Sequence, residues 1–189
     1  MRVYCRGGTT TQKRLAKDIA KFCGEKLLSK RLRESLSITI YFVDDLGDND
    51  GDVMYEDDFD VARPKEFTIR IGNTGRGIWR QLRTVCHEMV HVKQYAKGEM
   101  KYMWRPARHT KFNGELYPDS LNYWEQPWEI EAFGREVGLY TRWVDDRGWT
   151  GNEIFDNRAD DDKVTQEELE FLGIKNPEPE LELKDTIDN

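Results

Sequence analysis

With 189 residues and an apolar fraction of 38%, the chain is long enough for one compact core with appendages and too short for two large domains. No apolar run approaches the ~20 residues that cross a bilayer, and the stretch from Met1 to Gly7 lacks the apolar segment of a signal peptide, so a cytoplasmic protein with no membrane partner is expected. The net charge of −7 is unevenly spread: residues 145–189 hold 15 acids against 5 bases, and Asp44 to Asp60 hold nine acids without a Lys or Arg, which leaves a basic body of 24 bases against 12 acids.

Leu15, Ile19, Phe22, Cys23 and Leu27 recur at spacings of three and four, which predicts an amphipathic helix from Thr10 to about Leu28 with Lys13, Arg14, Lys17 and Lys21 on its solvated side. Ser37 to Val43 alternates Ile38, Ile40 and Phe42 against Thr39 and Tyr41 and reads as a strand. The acidic stretch 44–60, broken by Gly47 and Gly51, reads as a loop that is not an EF-hand, because aligning Gly51 with that loop's invariant glycine puts Leu46 at the first ligand position. Phe67 to Ile71 alternates as a second strand, closed by a turn at Gly72-Asn73-Thr74-Gly75.

A helix then runs from Ile78 to about Tyr95, with Ile78, Leu82, Val85, Met89 and Val92 as its buried stripe. Thr84, His87, His91 and Tyr95 form an adjacent strip that can border a cleft. Within it lies His87-Glu88-Met89-Val90-His91, the pattern H-E-x-x-H. Positions four apart lie one above the other, so the two imidazoles can meet one metal ion while Glu88 stands outside the ligand set, close enough to hold a water. Cys5, Cys23 and Cys86 form no C-x-x-C pair and read as reduced thiols; Cys86, turned about 100° from His87, reads as a packed core residue.

Eleven aromatic residues between Tyr102 and Trp149 are expected to fill core, and His109 to Leu116 suits a hairpin around Asn113-Gly114. Pro127 opens another helix, continuing through Trp143 with Ile130, Phe133, Val137, Tyr140 and Val144 as its expected buried stripe. Glu131, Gly134 and Gly138 share a different face, where glycines permit close helix approach and a carboxylate can reach a metal. These readings divide the chain into one domain at 1–150 and an acidic extension at 151–189, with a capping-box helix near 166–172 and a disordered tail from Asn176.

A catalytic zinc site needs a third protein ligand, and Glu131, His109 and Glu129 are the candidates. The metzincin pattern is excluded, because Gln94 and Lys97 stand where its Gly and third His belong. Taken together, His87-Glu-Met-Val-His91-Val-Lys-Gln-Tyr, Phe112-Asn-Gly114-Glu-Leu-Tyr117 and Tyr123-Trp-Glu-Gln-Pro127-Trp-Glu-Ile-Glu131-Ala-Phe-Gly134-Arg-Glu136 resemble zinc metallopeptidases common in bacteriophage genomes, over roughly residues 67–144.

The resemblance implies an α+β, minimal zincin-like core with a small β-sheet, an H-E-x-x-H helix and a following helix that completes the site. It also implies Zn²⁺ as cofactor and a host cytoplasm as location. The gluzincin relatives place the third ligand on a Glu before a small residue, which is Glu131 here; SprT-like proteases use a later His, which points to His109. The expected activity is peptide-bond hydrolysis with Glu88 as general base, and with Tyr123, Tyr117 or His109 as oxyanion donor. A peptide or protein substrate is expected to pair with an edge strand at 67–71 or 37–43. The rival readings are a nucleic-acid-associated protein, suggested by the basic body, and a virion binding module; in both the zinc is structural or regulatory.

Overall fold

The structure, a computed structural model, describes residues 1–47, 49–56, 61–73, 77–103 and 108–155. The predicted helix near 166–172, the tail beyond it, and parts of the acidic stretch and of the turn after Gly72 lie outside the described residues.

Among the described residues the fold is α+β, with four α-helices and two small sheets. The larger sheet comprises β1 (Arg2–Arg6), β2 (Ser37–Val43), β3 (Gly51–Tyr55) and β4 (Glu66–Gly72), in the order β1-β2-β4-β3. β1, β2 and β4 run parallel and β3 runs antiparallel to β4. The alternation read in the sequence sets the buried face: Ile38, Ile40 and Phe42 from β2 meet Phe67, Ile69 and Ile71 from β4, all buried. Helices α1 (Thr10–Leu27) and α3 (Ile78–Lys97) cover that face, and a short α2 (Lys30–Ser35) leads into β2. Thr9 and Gln12 close a capping box at the start of α1, and Leu15, Ile19, Phe22 and Cys23 go inward as the spacing requires.

β3 corrects the sequence reading, for it forms inside the acidic stretch expected to be a loop. Its acids are neutralised by cations from other elements: Asp52 takes both a 2.9 Å and a 2.5 Å bond from Arg70 on β4, and Asp50 pairs with Arg80 of α3 at 2.8 Å. The placement also corrects the expected peptide-pairing edges. β2 and β4 are interior strands, and β3 is the sheet's edge beside α3.

After α3 come β5 (Met100–Met103), β6 (His109–Phe112) and β7 (Glu115–Pro118), an antiparallel sheet whose last two strands are the expected hairpin. Asn113 and Gly114 both take positive φ, 49° and 94°, as a tight two-residue turn demands. Helix α4 (Pro127–Asp146) packs along α3.

The rotation of α4 about its axis differs from expectation. Ile130, Phe133 and Val137 are 58%, 37% and 50% exposed, while Trp128, Glu129, Ala132, Glu136, Leu139, Tyr140, Trp143 and Val144 go inward. Two carboxylates are tolerated on the inner face because each meets histidine or arginine groups there. The glycines expected to permit close helix packing face open space: a Cβ at Gly134 or Gly138 has nothing within 4 Å.

The packed body also extends past the expected boundary at residue 150. Ile154 and Phe155 are core residues, Trp149 and Phe155 stack at 4.8 Å, and the Tyr140 hydroxyl donates to the Phe155 carbonyl at 2.9 Å. Among the described residues no helix is long and apolar enough to cross a membrane.

Candidate metal centre

His87 and His91 lie on the face of α3 turned toward α4, one helical turn apart. Their Nε2 atoms approach to 3.1 Å, and the Glu129 carboxylate closes the third side, with Oε2 at 3.2 Å from His87 Nε2 and Oε1 at 3.4 Å from His91 Nε2. All three residues are buried, and together they can hold a metal ion. A four-coordinate ion with bonds of about 2.0–2.2 Å needs donor atoms separated by about 3.3–3.6 Å, the edge of the corresponding tetrahedron. The three separations come close to that range.

Hydrogen bonding on the far side of each ring decides what the near side can do. Gln94 donates its amide N–H to the Trp128 carbonyl at 3.0 Å and to Glu131 Oε2 at 3.1 Å, so its oxygen faces His91 and accepts from Nδ1 at 2.8 Å. His87 Nδ1 donates to Glu136 Oε2 at 3.0 Å, and the other Glu136 oxygen is held by Arg83 at 2.5 Å. Both Nδ1 atoms therefore carry protons and both Nε2 atoms face Glu129, as N–H donors while the rings are charged and as lone pairs once they are neutral. The Tyr123 hydroxyl also donates to Glu129 Oε2, at 2.9 Å. A metal ion bound between these groups would take the place of the two Nε2 protons.

The titration behaviour expresses the same demand. Burial opposes charge on His87, yet the Glu129 and Glu136 carboxylates outweigh it and lift the ring to about 9. His91 is also raised, against its burial, by Glu129 and Glu88. Burial works against the Glu129 charge too, but bonds from His87 and His91 hold its carboxyl at about 2.

This fixes a sign for the metal-free protein. A ring whose basicity is raised on folding contributes stability fully below its ordinary value of 6.5 and loses it as pH climbs through about 9. Glu88, lifted by burial to about 7, slopes the same way over a lower range. Thermal melting with chelator is thus expected to show a midpoint falling between pH 6.5 and 9, and a flat profile there excludes this electrostatic account.

Glu88 lines the same pocket, an opening of about 280 Å³ between α3, α4, β3 and the second sheet. Its acidity is set first by burial, which raises it, partly offset by His91 and His87. Gly51 lets β3 run close beside it, for a Cβ there would lie 2.5 Å from Thr84 Cγ2 and 3.2 Å from Glu88 Oε1.

The structure thus brings together His87, Glu88 and His91 as the motif suggests, and places Glu129 rather than Glu131 beside them. Glu131 corrects the expectation: its carboxylate accepts from Lys93 at 2.7 Å, Gln94 at 3.1 Å and Arg135 at 2.8 Å, two positions and about 200° around the helix from Glu129. His109 stays outside the pocket, because β6 turns Thr110 and Phe112 inward and His109 and Lys111 the other way. Of the three expected oxyanion donors, Tyr123 lines the pocket, while Tyr117 binds Glu115 at 2.6 Å on the hairpin.

Glu136 and Gln94 escaped the sequence reading, although Gln94 follows His91 by three residues and Glu136 follows Glu129 by seven, a spacing that repeats one helix face. Groups of this kind usually set metal affinity within a factor of about 10–100. Glu136→Gln is therefore expected to weaken metal binding by about that factor in a chelator competition, and unchanged affinity would remove the orienting role. Comparison with protein-family models, curated proteins and solved structures found no match to the chain.

Proposed function

We propose that the chain is a zinc-dependent endopeptidase built on a zincin-like core, with His87, His91 and Glu129 as ligands and Glu88 as general base. The observation that carries this reading is the convergence of two imidazole Nε2 atoms and a carboxylate on one point, with a buried Glu88 in the same pocket. Two imidazoles and one carboxylate are one of the donor sets of catalytic zinc sites, which leave a position open. Bound zinc supplies Lewis acidity there, polarising a carbonyl and acidifying water.

The chain's own groups divide the remaining work. Glu88, poised near neutrality, takes the proton of the attacking water and returns it to the leaving amine. The Tyr123 hydroxyl, which donates to Glu129 Oε2 in the metal-free pocket, would turn that proton to the developing oxyanion. Glu136 and Gln94 hold the two rings in the tautomer that presents Nε2. β3, with β4 on one side and no strand on the other among the described residues, offers backbone groups to an extended peptide, which favours a peptide substrate.

The test is hydrolysis of unfolded casein and of mixed peptides by the zinc-loaded chain. Phenanthroline is expected to suppress cleavage at least about 100-fold and added zinc to restore it, in line with the contribution of a metal-activated step. Zinc-loaded protein that cuts neither substrate, or cleavage indifferent to the chelator, contradicts the proposal.

A further inference from the structure

The pocket has two unlike halves. The ionic half holds His87, Glu88, His91 and Glu129; the other is walled by Tyr95, Met100, Thr110 and Trp128, with Val53 of β3 across from them. Tyr95 stands one turn beyond His91 on the same face of α3, and Trp128 immediately precedes Glu129 on α4. The apolar half is therefore built into the elements that carry the metal-site residues.

Its wall is also a packed unit. Met100, Phe112 and Trp128 form an apolar cluster apart from the main core, with Tyr95 and Tyr117 against it. Phe112 and Tyr117 set their rings edge-on to the Trp128 indole at 6.1 and 5.9 Å, and Tyr55 packs on Tyr95 at 5.2 Å. Among the described residues no Lys or Arg lines the pocket, and its carboxylates are Glu88 and Glu129 of the ionic half and Asp52, which is tied to Arg70. An acidic side chain entering the apolar half would lose its hydration and meet no cation among the described lining residues, whereas an apolar one gains from leaving water.

We infer that this half-pocket is a specificity site for a large apolar side chain of the peptide, in a residue next to the bond that is cut. The inference rests on the peptidase reading and adds to it a substrate class: unfolded or extended segments carrying Leu, Ile, Met or an aromatic residue at one fixed position. Discrimination of about 10- to 100-fold is the size expected for filling or vacating such a pocket.

The experiment digests a proteome-derived peptide mixture with the zinc-loaded full chain and maps cut sites by mass spectrometry. Large apolar residues are expected at one position flanking the cut, enriched about 10-fold over their abundance. Met100→Ala enlarges the recess and is expected to move the preference from Leu toward Phe and Trp by a similar factor. In parallel, uncut peptides are bound to the Glu88→Gln variant and followed by calorimetry, where a Leu peptide is expected to bind about 10-fold tighter than its Asp counterpart. Cleavage with no preference, or a preference for charged residues, overturns the inference and leaves the peptidase reading standing. No cleavage at all by the loaded chain sinks both. Should Met100→Ala fail to fold, the binding comparison decides, and equal affinities overturn the inference.

Discussion

Glu88→Gln is expected to bind zinc with wild-type stoichiometry and to hydrolyse peptides about 10²- to 10⁴-fold more slowly, the range that a positioned general base contributes. The substitution keeps the shape of a buried side chain that lies in the pocket but outside the three-residue metal group. It removes only the capacity to take a proton. Burial has already lifted this carboxyl to about 7, against the opposing pull of His91 and His87. The wild-type rate is accordingly expected to fall on the acid side with a midpoint at or below about 7, since a bound cation favours the ionised carboxylate. Metal analysis beside kcat/KM on one protein batch checks both halves, and a fully active zinc-loaded variant would falsify the role of Glu88.

Glu129→Gln and Glu131→Gln are expected to part widely although they lie on the same helix. Glu129 supplies a carboxylate to both imidazoles, so its loss is expected to lower zinc affinity by more than the ~100-fold typical of groups outside the ligand set, and to abolish hydrolysis with it. Glu131 binds Lys93, Gln94 and Arg135, so Glu131→Gln is expected to keep zinc affinity within about 10-fold, the low end of effects from outside the ligand set. Its cost falls on stability, about 1–3 kcal/mol, because nearly buried Lys93 keeps Glu99 at 2.6 Å as a remaining partner. Chelator competition and thermal melting on the two variants check the contrast. Equal loss of zinc from both would contradict the assignment.

The different fates of α3 and α4 show what periodicity can carry. On α3 the expected apolar residues Leu82, Val85, Met89 and Val92 are buried while Ile78 is half-buried. Because every residue from Thr84 to Gln94 is buried, it is the four-residue spacing of His87 and His91, not a single buried stripe, that put them on one face. On α4 the same reasoning turned Ile130, Phe133 and Val137 inward, but the helix buries Glu129 and Glu136 instead. Their partners, His87, His91 and Arg83, come from a segment 38 to 53 residues away, and local pattern holds no record of them. That rotation is also why Glu129, and not the expected Glu131, lies beside the two histidines. β3 was hidden for a related reason, since its acids look like loop until Arg70 and Arg80 are brought beside them. In the hairpin, by contrast, Asn113-Gly114 carries its own conformational signal, and the turn was legible without tertiary information.

The central claim is that His87, His91 and Glu129 share one zinc ion, and anomalous scattering measured on either side of the zinc absorption edge from crystals of the full chain tests it most directly. The account predicts a single peak bonded by both Nε2 atoms and a Glu129 oxygen at about 2.0–2.2 Å, with a further position open to solvent. A peak held by Glu131 or His109, a site closed by four protein ligands, or no peak between α3 and α4 would contradict it.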